Sequence, residues 1–186
     1  MALTALDPST ALIIIDLQKG LVGMPTVHPM TDIVRRSVEL ADAFRRHGLP
    51  VVLVNVAGGA PGRNEQPRGG SRPDGWTDLA PELNRQPQDH LVTKHTWGAF
   101  TNTDLADYLK ARGATQVVVA GVATSIGVES TARQAYELGF NVTLAVDAMT
   151  DLSKEAHDNS LTRIFPRLGE SGATADIIAL LDKSRE

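Results

Sequence analysis

The stretch Ala11-Leu12-Ile13-Ile14-Ile15-Asp16 sets five consecutive apolar residues before an aspartate. A continuous apolar run, rather than an alternating one, is typical of a strand buried on both faces of a parallel sheet. Residues 51–56 and 117–120 are similarly apolar, and we predict further strands over residues 90–93 and 142–146. The chain therefore has five predicted strands.

Apolar residues with helical spacing lie between and after these strands. We predict helices over residues 33–44, 105–109, 130–138 and 174–181, and another from Asp151 or Ser153 towards Phe165. His47-Gly48 is typical of a helix C-cap, and Thr101 or Thr103 is the predicted N-cap of the second helix. Strands that alternate with helices indicate βαβ units and a mostly parallel sheet. The sequence predicts one α/β domain over residues 1–186.

Composition and charge narrow the functional classes. The 186 residues carry a net charge of −4, so no overall positive field attracts nucleic acid. No apolar run approaches the roughly 20 residues needed to cross a bilayer, so we expect no membrane partner. The first seven residues lack the regions of a signal peptide, and we expect a cytoplasmic protein.

Cysteine is absent from the sequence. Disulfides, thiolate metal ligands and mechanisms with a cysteine nucleophile are therefore excluded. The five histidines show no spacing typical of metal ligands, and no two carboxylates are close enough in sequence to suggest a metal site. We expect neither a metal ion nor a cofactor.

Two charged residues follow predicted strands. Asp16 ends the first strand and Lys94 ends the third, and ligands of open parallel sheets bind beyond the carboxyl ends of the strands. A carboxylate that ends a buried strand needs a partner, and Lys94 can pair with it or bind a substrate carboxylate. The alternatives are an ordinary loop aspartate and an ordinary edge lysine.

Residues 121–127, Gly-Val-Ala-Thr-Ser-Ile-Gly, lead from the fourth strand into a helix. A turn of small residues at this place directs backbone N–H groups at an anion or a developing oxyanion. We expect the N–H groups of Ala123 and Gly127 to face Asp16. The turn lacks G-x-G-x-x-G, and no G-x-S-x-G surrounds Ser125, so neither a dinucleotide site nor a serine hydrolase is predicted.

Residues 58–75 contain six glycines, three prolines and the three arginines Arg63, Arg68 and Arg72. The segment has no apolar periodicity and is predicted to be a long surface loop at the carboxyl edge of the sheet. Loops of this length are either functional or simply solvated, and the sequence leaves both interpretations open.

Residues 11–18, 94–100 and 121–133 together resemble motifs of the isochorismatase-like hydrolases, and the likeness extends from about residue 10 to 181. The resemblance implies a three-layer α/β/α sandwich with a doubly wound, Rossmann-like sheet. It also implies a small-molecule substrate, a homo-oligomer (dimer or tetramer) and a cis peptide between Val122 and Ala123.

Most members of that family cleave amides with an Asp–Lys–Cys triad, and Gly127 stands where they carry the cysteine. Isochorismatases proper also have glycine there, so the resemblance implies cysteine-independent hydrolysis of a vinyl ether in a small anionic substrate. Asp16 is the implied acid and Lys94 its partner or the anchor for a substrate carboxylate, with Gly127 beside them. The implied substrate-binding residues are Gln18, Trp76, Trp97, Phe100, Ala123 and Ser125, with packing as the alternative for both tryptophans.

One motif departs from the isochorismatases, which carry a glutamine after the second strand where this chain has Val-Asn-Val-Ala at residues 54–57. The substrate therefore need not be isochorismate. A second hypothesis is hydrolysis of another small molecule by water that Asp16 activates. A third is a degenerate member that binds a metabolite or a partner without catalysis, but the intact Asp16 and Lys94 argue against it.

Overall fold

The computed structural model describes residues 3–65 and 71–183. Six strands form one parallel sheet in the order β3-β2-β1-β4-β5-β6. The strands are β1 Thr10–Ile15, β2 Val51–Val56, β3 His90–Lys94, β4 Gln116–Val122, β5 Asn141–Thr150 and β6 Glu170–Gly172. All five predicted strands are confirmed, and the sheet is doubly wound because the strand order reverses direction at β1 and β4.

Seven α-helices connect or flank the strands. They are α1 Lys19–Val22, α2 Met30–Arg46, α3 Leu105–Ala111, α4 Glu129–Glu137, α5 Lys154–Asn159, α6 Phe165–Leu168 and α7 Thr174–Lys183. A 3₁₀ turn covers Pro81–Leu83, and π-helical turns cover Thr124–Val128 and Ser160–Ile164. No helix among the described residues is both long enough and apolar enough to cross a membrane.

The two faces of the sheet bury separate apolar clusters. Leu12 and Ile14 of β1 point into a cluster with α2 and α7, whereas Ile13 and Ile15 point into a cluster with α3 and α4. Every residue of β1 is buried, as the continuous apolar run predicted. The predicted three-layer α/β/α sandwich is confirmed.

Three local expectations need correction. Strand β6 was not predicted because its three residues, Glu170–Gly172, make no apolar run. The helix predicted from Asp151 or Ser153 towards Phe165 is confirmed in its start, where Ser153 caps the first turn by accepting from the Ala156 N–H, but the π-helical turn Ser160–Ile164 divides it into α5 and α6. The N-cap position of α3 is Asp104, directly before Leu105, rather than Thr101 or Thr103, although Thr103 Oγ1 accepts from the Leu105 N–H at 3.4 Å.

The predicted loop at residues 58–75 has neither helix nor strand in its described parts, residues 58–65 and 71–75. Arg68 lies outside the described residues. Arg63 and Arg72 are exposed, and the loop follows β2 at the carboxyl edge of the sheet.

Gly121 allows β4 to approach β1 at the edge where the charged residues lie. Its φ is +110°, a conformation that side chains rarely adopt, and a Cβ there would lie 2.1 Å from the Ile15 carbonyl oxygen. Only glycine therefore permits the pairing of Gly121 with Ile15 that continues the β1–β4 ladder.

A comparison of Gly121→Ala with Gly139→Ala tests whether β4 packs too closely against β1 for a side chain at Gly121. Gly139 also has a positive φ of +87°, but a Cβ there meets no atom within 4 Å. We expect Gly139→Ala to cost about 1–2 kcal/mol of unfolding free energy, and Gly121→Ala about 1–3 kcal/mol more because backbone must move. Urea denaturation of both variants gives the comparison. Equal losses would contradict the close approach of the two strands.

Candidate active site

Asp16 and Lys94 form a buried ion pair at the carboxyl edge of the sheet. The Lys94 ammonium nitrogen lies 2.8 Å from Asp16 Oδ2, and the two side chains are only 2% and 7% exposed. Lys94 Nζ also donates to the Thr96 carbonyl oxygen at 3.1 Å. Because β2 separates β1 from β3, the lysine side chain reaches across one strand to the carboxylate. The predicted pairing is confirmed.

The backbone at Asp16 has a left-handed conformation with a φ of +55°. Such a conformation is uncommon outside glycine, although aspartate and asparagine adopt it more often than most residues, and it recurs at functional sites. The Asp16 N–H donates to the Val54 carbonyl at 2.9 Å, so the residue still belongs to the sheet as the chain turns away. The turn leaves the carboxylate at the strand end, above the sheet edge.

Burial governs the protonation of Asp16. Loss of solvent raises the pKa of this carboxyl from 3.8 to about 6, although the Lys94 ammonium opposes the rise through its charge and its hydrogen bond. Oδ2 bonds to Lys94, whereas the buried Oδ1 has no hydrogen-bond partner among the described residues. Asp16 can therefore hold a proton near neutral pH and has one oxygen free to deliver it.

The turn after β4 brings Gly127 against this carboxylate. The Val122–Ala123 peptide is cis, as the resemblance implied. A Cβ at Gly127 would lie 3.2 Å from Asp16 Oδ2 and 2.9 Å from Ile15 Cγ2. Gly127 therefore adjoins the acid, and the lack of a side chain lets the turn lie this close to it. The orientation of the Ala123 and Gly127 N–H groups towards Asp16 stays a prediction.

Residues after β5 hold this turn in place. The buried Asp151 accepts from the Ser125 N–H at 2.7 Å through Oδ2 and from the Leu152 N–H at 2.7 Å through Oδ1. His157 Nδ1 lies 2.9 Å from Thr124 Oγ1. Sequence reasoning did not identify these supports, although Asp151 carried a usable signal, a carboxylate directly after a strand.

A cavity of about 300 Å³ opens beside Asp16, and we call it the Asp16 cavity. The predicted residues Lys94, Gly127, Trp76, Trp97 and Ala123 all line it. The sequence did not single out its remaining lining residues as a substrate pocket: Leu21, Met24, Thr26, Met30, Val56, Gly58, Gly59, Arg72, Thr96, Val122, Ile126 and Leu152.

Three predicted substrate-binding residues do not line the Asp16 cavity. The buried Gln18 makes backbone hydrogen bonds instead, donating to the carbonyls of Val56 and Trp76 and accepting from the Val56 N–H. Phe100 packs in the apolar cluster, 6.1 Å from the Phe140 ring. Ser125 contributes its backbone to the contact with Asp151. All three support the site structurally.

The two tryptophans differ in their environments. Trp97 is 66% exposed at the mouth of the Asp16 cavity, so core packing does not explain it. Trp76 is half-buried, and the Arg72 guanidinium carbon lies 4.0 Å from the centroid of its ring. Asp16 is the one carboxylate among the described lining residues, beside the cations Lys94 and Arg72.

Metal-ligating side chains do not cluster in the part of the chain that the structure describes. Over residues 3–65 and 71–183, no three histidine, aspartate or glutamate side chains come close enough to hold a metal ion together.

Known proteins with this fold and these motifs place the chain in a family. The family model described as "Isochorismatase domain" matches residues 10–176. The uncharacterised isochorismatase family protein YwoC of Bacillus subtilis is 43% identical over 177 residues, which cover 91% of this chain and 92% of YwoC. Nicotinamidase 3 of Arabidopsis thaliana is 30% identical over 85% of this chain and 83% of its own length.

Solved structures agree with these sequence matches. The structure of an isochorismatase family protein from Burkholderia thailandensis superposes with a TM-score of 0.92 at 44% identity, covering 96% of this chain and 98% of that one. The matching domain spans the Asp16–Lys94 pair, the cis peptide and Gly127. The chain therefore belongs to the isochorismatase family and is a hydrolase of small molecules.

Proposed function

We propose that this protein hydrolyses a vinyl ether in a small anionic substrate, with Asp16 as the general acid and without a nucleophilic side chain. The observation that supports this most strongly is the buried Asp16, whose pKa of about 6 makes it an acid near neutral pH. General acids work best when their pKa lies near the operating pH.

The reaction needs one proton delivered and one returned. Protonated Asp16 gives its proton to the methylene carbon of the vinyl ether, and the electrons of the double bond form the new C–H bond. Water then adds to the resulting oxocarbenium carbon and returns a proton to the Asp16 carboxylate. The hemiketal collapses to an alcohol and a ketone, so the overall change is addition of one water. With an enolpyruvyl ether, the ketone is pyruvate.

Lys94 contributes charge at two stages of this sequence. Its ammonium, 2.8 Å from Asp16 Oδ2, stabilises the carboxylate that remains after proton transfer. Nearly complete burial removes competing solvent, which strengthens this electrostatic contact. Lys94 and Arg72 both line the cavity and attract an anionic substrate.

An amidase mechanism lacks its nucleophile in this chain. The sequence contains no cysteine, so similarity to a nicotinamidase does not bring a thiol route with it. The Gly127 position has little room for a thiol either, since a Cβ there would already lie 2.9 Å from Ile15 Cγ2 and 3.2 Å from Asp16 Oδ2. A volume of about 300 Å³ fits a small metabolite.

We also propose that the enzyme is a cytoplasmic homo-oligomer, a dimer or a tetramer, as the family resemblance implies. Exposed apolar side chains at the cavity mouth support association. Trp97, Leu152 and Met24 are 66%, 49% and 37% exposed, and subunit contact would bury such surface.

Isochorismate with an assay for pyruvate tests the proposed reaction. We expect the wild type to release pyruvate, measured with lactate dehydrogenase, and Asp16→Asn to lower kcat about 10²–10⁴-fold because it removes the acid. Asp89→Asn is the matched control, a buried aspartate paired with Arg45 away from the cavity, and keeps wild-type kcat once folding is confirmed. Release of pyruvate by Asp16→Asn at the wild-type rate would contradict the mechanism.

Gly127→Cys distinguishes acid-catalysed ether hydrolysis from the alternative that the protein is a thiol amidase that has lost its cysteine. The added Cβ would crowd Ile15 Cγ2 and Asp16 Oδ2, so we expect vinyl-ether hydrolysis to fall at least about tenfold. Gly127→Ala adds the same Cβ without sulfur and should lose as much. Hydrolysis of the vinyl ether and hydrolysis of an amide, nicotinamide, are both measured for the wild type and for each variant. Unchanged ether hydrolysis, or nicotinamide hydrolysis that appears in the cysteine variant alone, would contradict this assignment.

A further inference from the structure

A second cavity of about 1000 Å³ opens directly beside the first. It lies between residues 57–64 and the side chains of Ser130 and Gln134 on α4, and we call it the side groove. Its wall is continuous with the Asp16 cavity through five shared residues, which are Gly58, Gly59, Arg72, Thr96 and Trp97. A ligand can therefore occupy both spaces at once.

Positive charge dominates the side groove. Arg63 and Arg72 line it, and none of its described lining residues is acidic. Asp16 is the only carboxylate among the lining residues that the structure describes for the two cavities, and it is already paired with Lys94 at 2.8 Å. The whole chain carries a net charge of −4, so the groove is a positively charged region on a protein whose overall charge is negative.

The two groove arginines differ from those arginines that the protein's own carboxylates already hold. Arg35, Arg45 and Arg133 each pair with a carboxylate of the protein. No salt bridge within residues 3–65 and 71–183 involves Arg63 or Arg72. Their guanidinium groups are thus available to an external anion, which they can bind through paired N–H donors.

Arg72 occupies the junction of the two spaces. Its guanidinium carbon lies 4.0 Å from the centre of the Trp76 ring, and stacking on an aromatic face restricts where the charge can lie. Gly59 keeps the neighbouring wall open, since a Cβ there would meet no atom of the described residues within 4 Å. The groove is therefore roomy, polar and cationic, unlike the small cavity at Asp16.

We propose that the side groove binds the anionic tail of an elongated substrate whose reacting head occupies the Asp16 cavity. The tail carries a phosphate or a carboxylate group that Arg63 and Arg72 hold. The chemistry at the head rests on the proposed function, but binding of the tail does not depend on it. Compact vinyl ethers without a tail are then poorer substrates than extended ones.

Tryptophan fluorescence measures tail binding without any turnover. The chain has two tryptophans, Trp76 under Arg72 and Trp97 on the wall that both cavities share. Titration with inorganic pyrophosphate tests a phosphate tail, and titration with citrate tests a carboxylate tail, both at one fixed ionic strength. We expect saturable binding of at least one anion, and the tighter one identifies the chemistry of the tail.

Single variants locate the binding. We expect Arg63→Gln and Arg72→Gln each to weaken the anion about tenfold, because each removes a charge-assisted contact. Arg112→Gln is the matched control, since Arg112 also stacks on an aromatic ring, Tyr108, but lines neither cavity. No saturable response to either anion, or equal weakening in all three variants, would overturn the proposal.

The same proteins separate this proposal from the proposed reaction. Anion binding that depends on Arg63 in a protein that releases no pyruvate from any enolpyruvyl ether, compact or extended, would support the groove and reject the reaction. Pyruvate release by a protein that binds neither anion would support the reaction and reject the groove.

Discussion

Burial of one ion pair at the end of the sheet governs the chemistry of this molecule. Taking Asp16 and Lys94 out of water costs several kcal/mol for each ion, and their contact at 2.8 Å offsets part of that cost. For Asp16 the loss of solvent outweighs the nearby ammonium, so the pKa of the carboxyl rises to about 6 instead of falling. The lysine, whose charge opposes protonation of Asp16, thus moderates the shift without reversing it.

Close backbone packing explains how the surrounding chain keeps this pair together. Gly121 lets β4 approach β1, and Gly127 lets the following turn lie against the carboxylate, since a Cβ at either position would meet Ile15. Asp151 and His157 hold the turn through the Ser125 N–H and the Thr124 hydroxyl. The absence of two side chains is therefore as important for the site as the presence of the two charges.

The sequence predicted those parts of the molecule whose position follows from the sheet. Continuous apolar runs identified the buried strands. Asp16, directly after β1, and Lys94, the last residue of β3, were correctly expected to pair. The cavity wall was harder to predict, because Met24, Arg72 and Leu152 reach it from irregular segments that no periodicity locates. Gln18 and Phe100 lie near the motifs in sequence, yet hydrogen bonding and core packing turn both away from the cavity.

The central claim is that Asp16 acts as an acid rather than as a base, and the pH dependence of kcat/KM on isochorismate tests it most directly. This ratio reports the free enzyme, in which the acid must be protonated to react. With a pKa of about 6, kcat/KM should be constant well below pH 6 and fall about tenfold for each pH unit above it. A ratio that instead rises as pH increases through 6 would contradict the account, because it would mean that ionised Asp16 activates water.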